Sequence, residues 1–294
     1  MRYLYICNTT GDQIDKVDML NFTLEKSIRL PGVSGNKIGP HGLCIQGDLL
    51  FVSNCYDGSV SIINLLSNEV DSYYLGRYCR DICALGNHLY IICGDSNSIV
   101  TFDLIKKEII EIIPSGDSPH SIDCCSSINK IVVANNGDDS ITIFDSLYGC
   151  DIANIKVGSS PTKALFTKNG DNILVCESAM GTLDRGCISV ISSRNYKTIR
   201  RITVGNCPFD MFCNEKFCFI TNYGDGTISI LDTVDLNIVN TIKTGGMPRG
   251  IVCYDNYIYI GDSYNNLIMR INMNNIQEKL IIPLSGQPTG MIIV

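Results

Sequence analysis

The chain has 294 residues, a net charge of −7, 45% hydrophobic residues and 15 cysteines. Its acidic balance, with a pI near 5.0, argues against a nucleic-acid partner, which needs a basic face, and no apolar run approaches the ~20 residues that span a bilayer. The residues after Met1 lack the charged segment, apolar core and cleavage site of a secretory signal, so synthesis in the cytoplasm and no membrane partner are expected.

Residues 3–7, 13–17 and 24–30 read as three strands. A turn, Gly39-Pro40-His41-Gly42, follows and leads into a fourth. Comparable turns recur at Tyr78-Cys79-Arg80-Asp81, Ser118-Pro119-His120-Ser121, Ser160-Pro161-Thr162-Lys163, Cys207-Pro208-Phe209-Asp210, Met247-Pro248-Arg249-Gly250 and Gln287-Pro288-Thr289-Gly290. Anchored at 41, 80, 120, 162, 209, 249 and 289, the steps are 39, 40, 42, 47, 40 and 40 residues. A period of this length marks a radially repeated or stacked architecture.

The unit from Pro208 to Gly246 shows what repeats. Strands at 210–213, 217–221, 227–231 and 238–242 are separated by turns such as Asn222-Tyr223-Gly224-Asp225-Gly226, whose residues tolerate left-handed backbone. Residues 227–231 alternate polar and apolar, the period of a strand with two unlike faces. Four short strands per unit with no helical period predict an all-β propeller. The seventh repeat supplies only its first strand, residues 289–294, and the three N-terminal strands complete it. The expected fold is therefore one seven-bladed β-propeller domain over residues 1–294. Its closing blade is a composite of 1–38 and 289–294.

Phe219-Ile220-Thr221-Asn222-Tyr223-Gly224-Asp225-Gly226-Thr227-Ile228-Ser229-Ile230-Leu231-Asp232 resembles the repeat of the YVTN-type β-propellers. Phe51-Val52-Ser53-Asn54 and Val132-Val133-Ala134-Asn135 are shorter copies. Val157-Gly158-Ser159-Ser160-Pro161 and Val204-Gly205-Asn206-Cys207-Pro208 match that family's Val-Gly-x-x-Pro turn. The resemblance covers the whole chain and implies the fold. The family's functions range from surface layers to binding modules and enzymes.

Seven anchors converge on the channel mouth: His41, Arg80, His120, Thr162, Phe209, Arg249 and Thr289, with Asp81, Lys163 and Asp210 just behind. Polar groups converging on an axis form the default binding site of a propeller; His41, Arg80, His120 and Arg249 are the candidates. His41 and His120 are similar to the Pro-His-Gly turns of propeller lyases related to streptogramin lyase, where a histidine at the mouth acts in acid/base chemistry. Here the two lie two blades apart, no glutamate falls at an equivalent anchor, and Ser121 replaces the glycine. No catalytic residue, metal or cofactor is assigned. Asp57-Gly58 and Asp225-Gly226 read as hairpin turns, since too few carboxylates alternate there for calcium, and the absence of tryptophan weighs against the propeller quinoproteins. The long blade from Pro161 carries its extra residues at 177–187, a candidate contact element.

The cysteines are the second signal. No Cys-x-x-Cys occurs and the three histidines are scattered, so zinc knuckles are absent. Strand order places Cys55, Cys79, Cys187 and Cys207 on the face bearing the anchor turns, the top. Cys124, Cys125, Cys150 and Cys218 fall at the bottom. Cys44, Cys83, Cys93, Cys176 and Cys253 lie within strands as small buried hydrophobes. Cys55, Cys79, Cys150, Cys187, Cys207 and Cys218 are then candidates for intermolecular disulfides. In size, cysteine density and lack of a signal, the chain is similar to the cysteine-rich exosporium proteins of clostridial spores. That resemblance implies a non-enzymatic structural protein, deposited on the spore surface, whose partners are further copies of itself and other cysteine-rich spore-layer proteins. Disulfides would lock contacts already docked. The alternative is a lyase- or lactonase-like enzyme, or a ligand-binding propeller, using the channel mouth.

Overall fold

The computed structural model describes residues 2–35, 37–146, 151–182 and 184–294. Within them lie seven four-stranded antiparallel sheets, built from strands numbered β1 to β28 in chain order. Six sheets are sequential: each opens on a strand that lines the channel and steps outward through three more. These first strands are β4 (Pro40–Gln46), β8 (Cys79–Leu85), β12 (Pro119–Cys125), β16 (Pro161–Phe166), β20 (Pro208–Cys213) and β24 (Pro248–Tyr254). The last sheet has the order β28-β1-β2-β3, from β28 (Pro288–Ile293), β1 (Tyr3–Asn8), β2 (Gln13–Asp18) and β3 (Thr23–Arg29). Tyr5 faces Ile292 and Leu4 faces Ile293. Tyr3 N–H also donates to the Val294 carbonyl at 2.8 Å, and Val294 N–H returns the bond at 2.9 Å. The composite blade thus closes the ring, as the repeat count requires.

Second strands are the most deeply buried, because each is paired on both edges and covered on both faces. In β21 (Phe217–Asn222), Cys218, Phe219, Ile220, Thr221 and Asn222 all have 0% exposure. The core lies between blades: Phe51 of one blade packs with Ile82, Leu89, Ile91 and Phe102 of the next. Fourth strands are the open edges. In β11 (Glu108–Pro114), only Ile113 is buried.

The asparagine of the Thr-Asn motif has a structural reason. Asn222 ends its strand and its Nδ2 donates to Thr227 Oγ1 at 3.0 Å and to Ser229 Oγ at 2.9 Å. Asn54 does the same to Ser59 and Ser61, and Asn135 to Ser140 and Thr142. One buried amide thereby fixes the register of the second hairpin in three blades. In the long blade Glu177 holds this position: it accepts from Ser189 Oγ and Gly158 N–H and pairs with Arg201. Glu177 thus ends its strand rather than opening the insert, and it pairs across the sheet with Cys187.

Several cysteine expectations are corrected here. Cys218 is fully buried and disulfide-bonded to Cys213, its direct cross-strand neighbour, with a Cα separation of 4.1 Å. It is not an accessible thiol at the bottom face. Cys79 is buried beneath the top, opposite Cys93, with the two sulfurs 3.4 Å apart. Cys93 ends its strand where Asn222 ends its own. Cys55 is 4% exposed. Cys187 and Cys207 remain partly exposed. Cys150 lies outside the described residues. Among the strand cysteines, Cys83, Cys93, Cys176 and Cys253 are buried as expected, while Cys44 is half-buried.

Candidate functional site at the channel mouth

The anchor residue of each first strand follows a turn whose preceding residue often takes a left-handed backbone, as at Gly39, Tyr78, Ser118, Ser160 and Cys207. That geometry lifts the next residues over the axis. His41, Arg80, His120, Phe209 and Arg249 meet there in a closed circuit.

His41 Nδ1 lies 2.9 Å from the Arg80 carbonyl oxygen, and His120 Nδ1 lies 2.6 Å from that of Thr162. A carbonyl only accepts, so each Nδ1 carries the proton. Each Nε2 then offers a lone pair: Arg80 Nη2 donates to His120 Nε2 at 2.7 Å, and Arg249 Nη2 donates to His41 Nε2 at 3.3 Å. Phe209 completes the ring. Its face holds the Arg249 guanidinium 4.9 Å from the centroid, and its ring meets that of His120 edge-on at 5.3 Å. The other two anchors face the backbone: Thr162 Oγ1 donates to the Pro208 carbonyl, and Thr289 Oγ1 to that of His41.

Electrostatics follow from this packing. Burial first, and then the Arg80 and Arg249 charges, push the His41 imidazole well below its ordinary pKa. His120 moves the same way, through burial and Arg80. Both imidazoles are therefore neutral near pH 7. Arg249 is itself lowered, by burial and then by the like charge of Arg80.

Behind the mouth, Lys163 sits between Asp81 at 3.5 Å and Asp210 at 3.6 Å. Burial pulls the lysine pKa down, but Asp81, Asp210 and Asp123 together hold it above its ordinary value. Burial pushes Asp123 up to about 6 and also raises Asp210. Asp81 and Asp123 reach into the next blade as well, accepting from Ile122 N–H at 3.1 Å and Phe166 N–H at 2.8 Å. These carboxylates therefore tie blades together.

The opposite wall of the channel carries glycines at the same depth. A Cβ at Gly250 would strike the Thr289 carbonyl, and one at Gly290 the His41 carbonyl. The first strands approach so closely there that only glycine fits. A cavity of about 470 Å³ runs from His41, His120 and Arg249 down past Met211, Ile251 and Met291. It has a polar rim; below that, Asp81, Lys163 and Asp210 line one wall, and Met211, Ile251 and Met291 supply an apolar one.

All four channel-mouth candidates thus belong to one constellation. Phe209, named as an anchor but not among those four, is its fifth member, and an aromatic at an anchor position was the available signal. The cysteine candidates do not join it. Burial raises Cys55 to about 11, against the lowering effect of Arg80, so this thiol stays protonated. Among the described residues no three His, Cys, Asp or Glu side chains cluster as metal ligands would.

No protein-family model matches the chain, and no curated protein does. Solved structures do. Hydrazine synthase of Kuenenia stuttgartiensis superposes with a TM-score of 0.74 at 16% identity, over 96% of this chain and 92% of that one. The dihydro-heme d1 dehydrogenase NirN, in complex with DHE, gives 0.66 at 14% identity, covering 99% and 74%. A functionally unknown protein from Desulfotomaculum acetoxidans DSM 771 gives 0.78 at 11% identity, covering 99% and 98%. Two of the three carry enzyme names, which at these identities describe those proteins alone. What the likeness establishes for this chain is the β-propeller fold, with seven blades counted from its own sheets.

Proposed function

We propose that this protein is a rigid binding propeller that takes a small molecule at its channel mouth. The observation carrying this reading is the closed circuit of His41, Arg80, His120, Phe209 and Arg249 over a 470 Å³ cavity. That volume suits a metabolite-sized ligand, and an apolar wall beside a few convergent polar and charged groups is the usual makeup of such sites. Binding is favoured over proton transfer because both Nε2 lone pairs are already engaged by guanidiniums, leaving neither imidazole a free base. A ligand-observed NMR screen of several hundred small fragments tests the proposal. Hits should be lost in Leu43→Trp and in Met291→Phe, which fill the shaft. A hit list identical in the parent and both variants would contradict it.

A second reading is edge-to-edge self-assembly into a layer like the exosporium of clostridial spores. It is favoured by the apolar residues on open sheet edges: Ile112 in β11 is 64% exposed, and Ile281 in β27 (Asn275–Pro283) is 54% exposed. Unpaired edges of this kind template association. Cys187 and Cys207, partly exposed at the top face, are the described candidates left to lock such contacts. Electron microscopy with and without a thiol reductant tests it: ordered sheets that dissolve only with reductant support the reading, and discrete particles in both conditions oppose it.

A further inference from the structure

The two guanidiniums at the mouth lack what buried arginines ordinarily have. Among the described residues, no ion pair includes Arg80 or Arg249; Asp81 and Asp210, one residue past the anchors Arg80 and Phe209, are engaged by Lys163. The arginines instead donate to neutral acceptors, His120 Nε2, His41 Nε2 and the Tyr78 hydroxyl. Arg80 Nε is buried and has no partner. Two like charges held close together, partly out of water and without a counter-ion, are unfavourable unless something else supplies the negative charge. The histidines make the arrangement specific. Each is fixed as a neutral acceptor by its own backbone bond and so aims one guanidinium edge; Arg80 Nη1 also meets Tyr78, which leaves one N–H on each of its Nη atoms, and those of Arg249 beyond its bond to His41, for a ligand.

We propose that the mouth is an oxyanion site, in which Arg80 and Arg249 clamp the carboxylate or phosphate group of a small ligand whose apolar body enters the shaft. This rests on the binding reading above and names the ligand class. A guanidinium offers five donors in a planar fork that matches the oxygens of either group. Two such forks on opposite sides of one axis suit a single anionic head. Phe209, already stacked on Arg249, walls the head group, and Met211, Ile251 and Met291 accept an apolar remainder. The chain is acidic as a whole, at −7, so the local pair of positive charges selects anions against the general field.

Fluorescence titration of the full chain with 2-naphthoate, 2-naphthyl phosphate and the uncharged 2-naphthamide tests this. At least one of the two anions should bind, and the amide at least about tenfold more weakly. Arg80→Gln and Arg249→Gln should each weaken the anion about tenfold or more without changing the amide. Arg194→Gln, at an exposed pair with Asp171, should change nothing. Added salt should weaken only the anion. Binding of the carboxylate alone or the phosphate alone assigns the head group. Equal affinity for anion and amide, insensitive to both arginine variants, would overturn the oxyanion site while leaving a mouth that binds. Failure of all three probes at millimolar concentration would overturn both readings. Melting curves of the variants separate loss of binding from loss of fold.

Discussion

At the scale of single residues, the side chains do two kinds of work that the sequence makes look alike. Asn222, Asn54 and Asn135 belong to the repeat motif that marks the fold, and each is a buried register pin. Asn222→Ala should cost about 1–3 kcal/mol, because Thr227 and Ser229 lose their donor inside the blade; denaturant unfolding measures it. A loss under 0.5 kcal/mol would show the pin to be dispensable. The two mouth histidines act in the opposite sense, since their folded pKa values lie below the unfolded value of about 6.5. The unfolded chain then binds more protons than the native one below that pH, so stability falls as pH falls. Asp123, raised to about 6, opposes this, because the native state holds its extra proton between the ordinary carboxylate value and about 6. A His41→Gln/His120→Gln double variant isolates the histidine part: it should lose less stability than the parent between pH 7 and 5.5. A parent no more sensitive to acid than the variant would contradict buried neutral imidazoles. The anchors were legible because the repeat fixes one residue per blade at the axis. The bond from Arg249 to His41, 208 positions apart, was not legible, since it depends on side-chain reach across the channel.

At the scale of strands and hairpins, periodicity revealed the blades and their closing partner, but strand order alone misplaced several thiols. A cysteine in a top-face turn was expected to be exposed, whereas Cys79 begins β8 and points under the turn at Cys93. Cys213 and Cys218 flank a short hairpin turn, and their antiparallel register sets them directly opposite. The spacing across the turn is the signal for that pair, but only the register, which a single sequence leaves open by a residue, sets the two thiols opposite one another. Peptide mapping without reduction should recover Cys213 linked to Cys218 within one chain; a peptide joining Cys218 to a different cysteine would contradict the register. The glycines lining the first strands were equally hidden, because close backbone approach leaves no pattern in a single chain. Gly290→Ala should destabilise by about 1–3 kcal/mol through overpacking against the His41 carbonyl, and unchanged thermal unfolding would show that the closing strand tolerates the shift.

At the scale of the whole molecule, the ring makes the ends of the chain part of the sheet and places five anchors from five blades around one point. A rigid frame of this kind keeps two guanidiniums close together without a carboxylate between them. It also leaves few thiols accessible. A bulky maleimide should label Cys187 and Cys207 in the native protein and leave Cys55, Cys79 and Cys218 unlabelled; rapid labelling of Cys55 or Cys79 would contradict the packing beneath the top face. The central claim, a binding disc with its site at the mouth, is tested most directly by a crystal structure of the full chain grown with 2-naphthoate. The predicted result is a carboxylate within hydrogen-bond reach of both Arg80 and Arg249, with the rings in the shaft beside Ile251 and Met291. A ligand seated elsewhere on the disc, with the mouth holding only water, would contradict it.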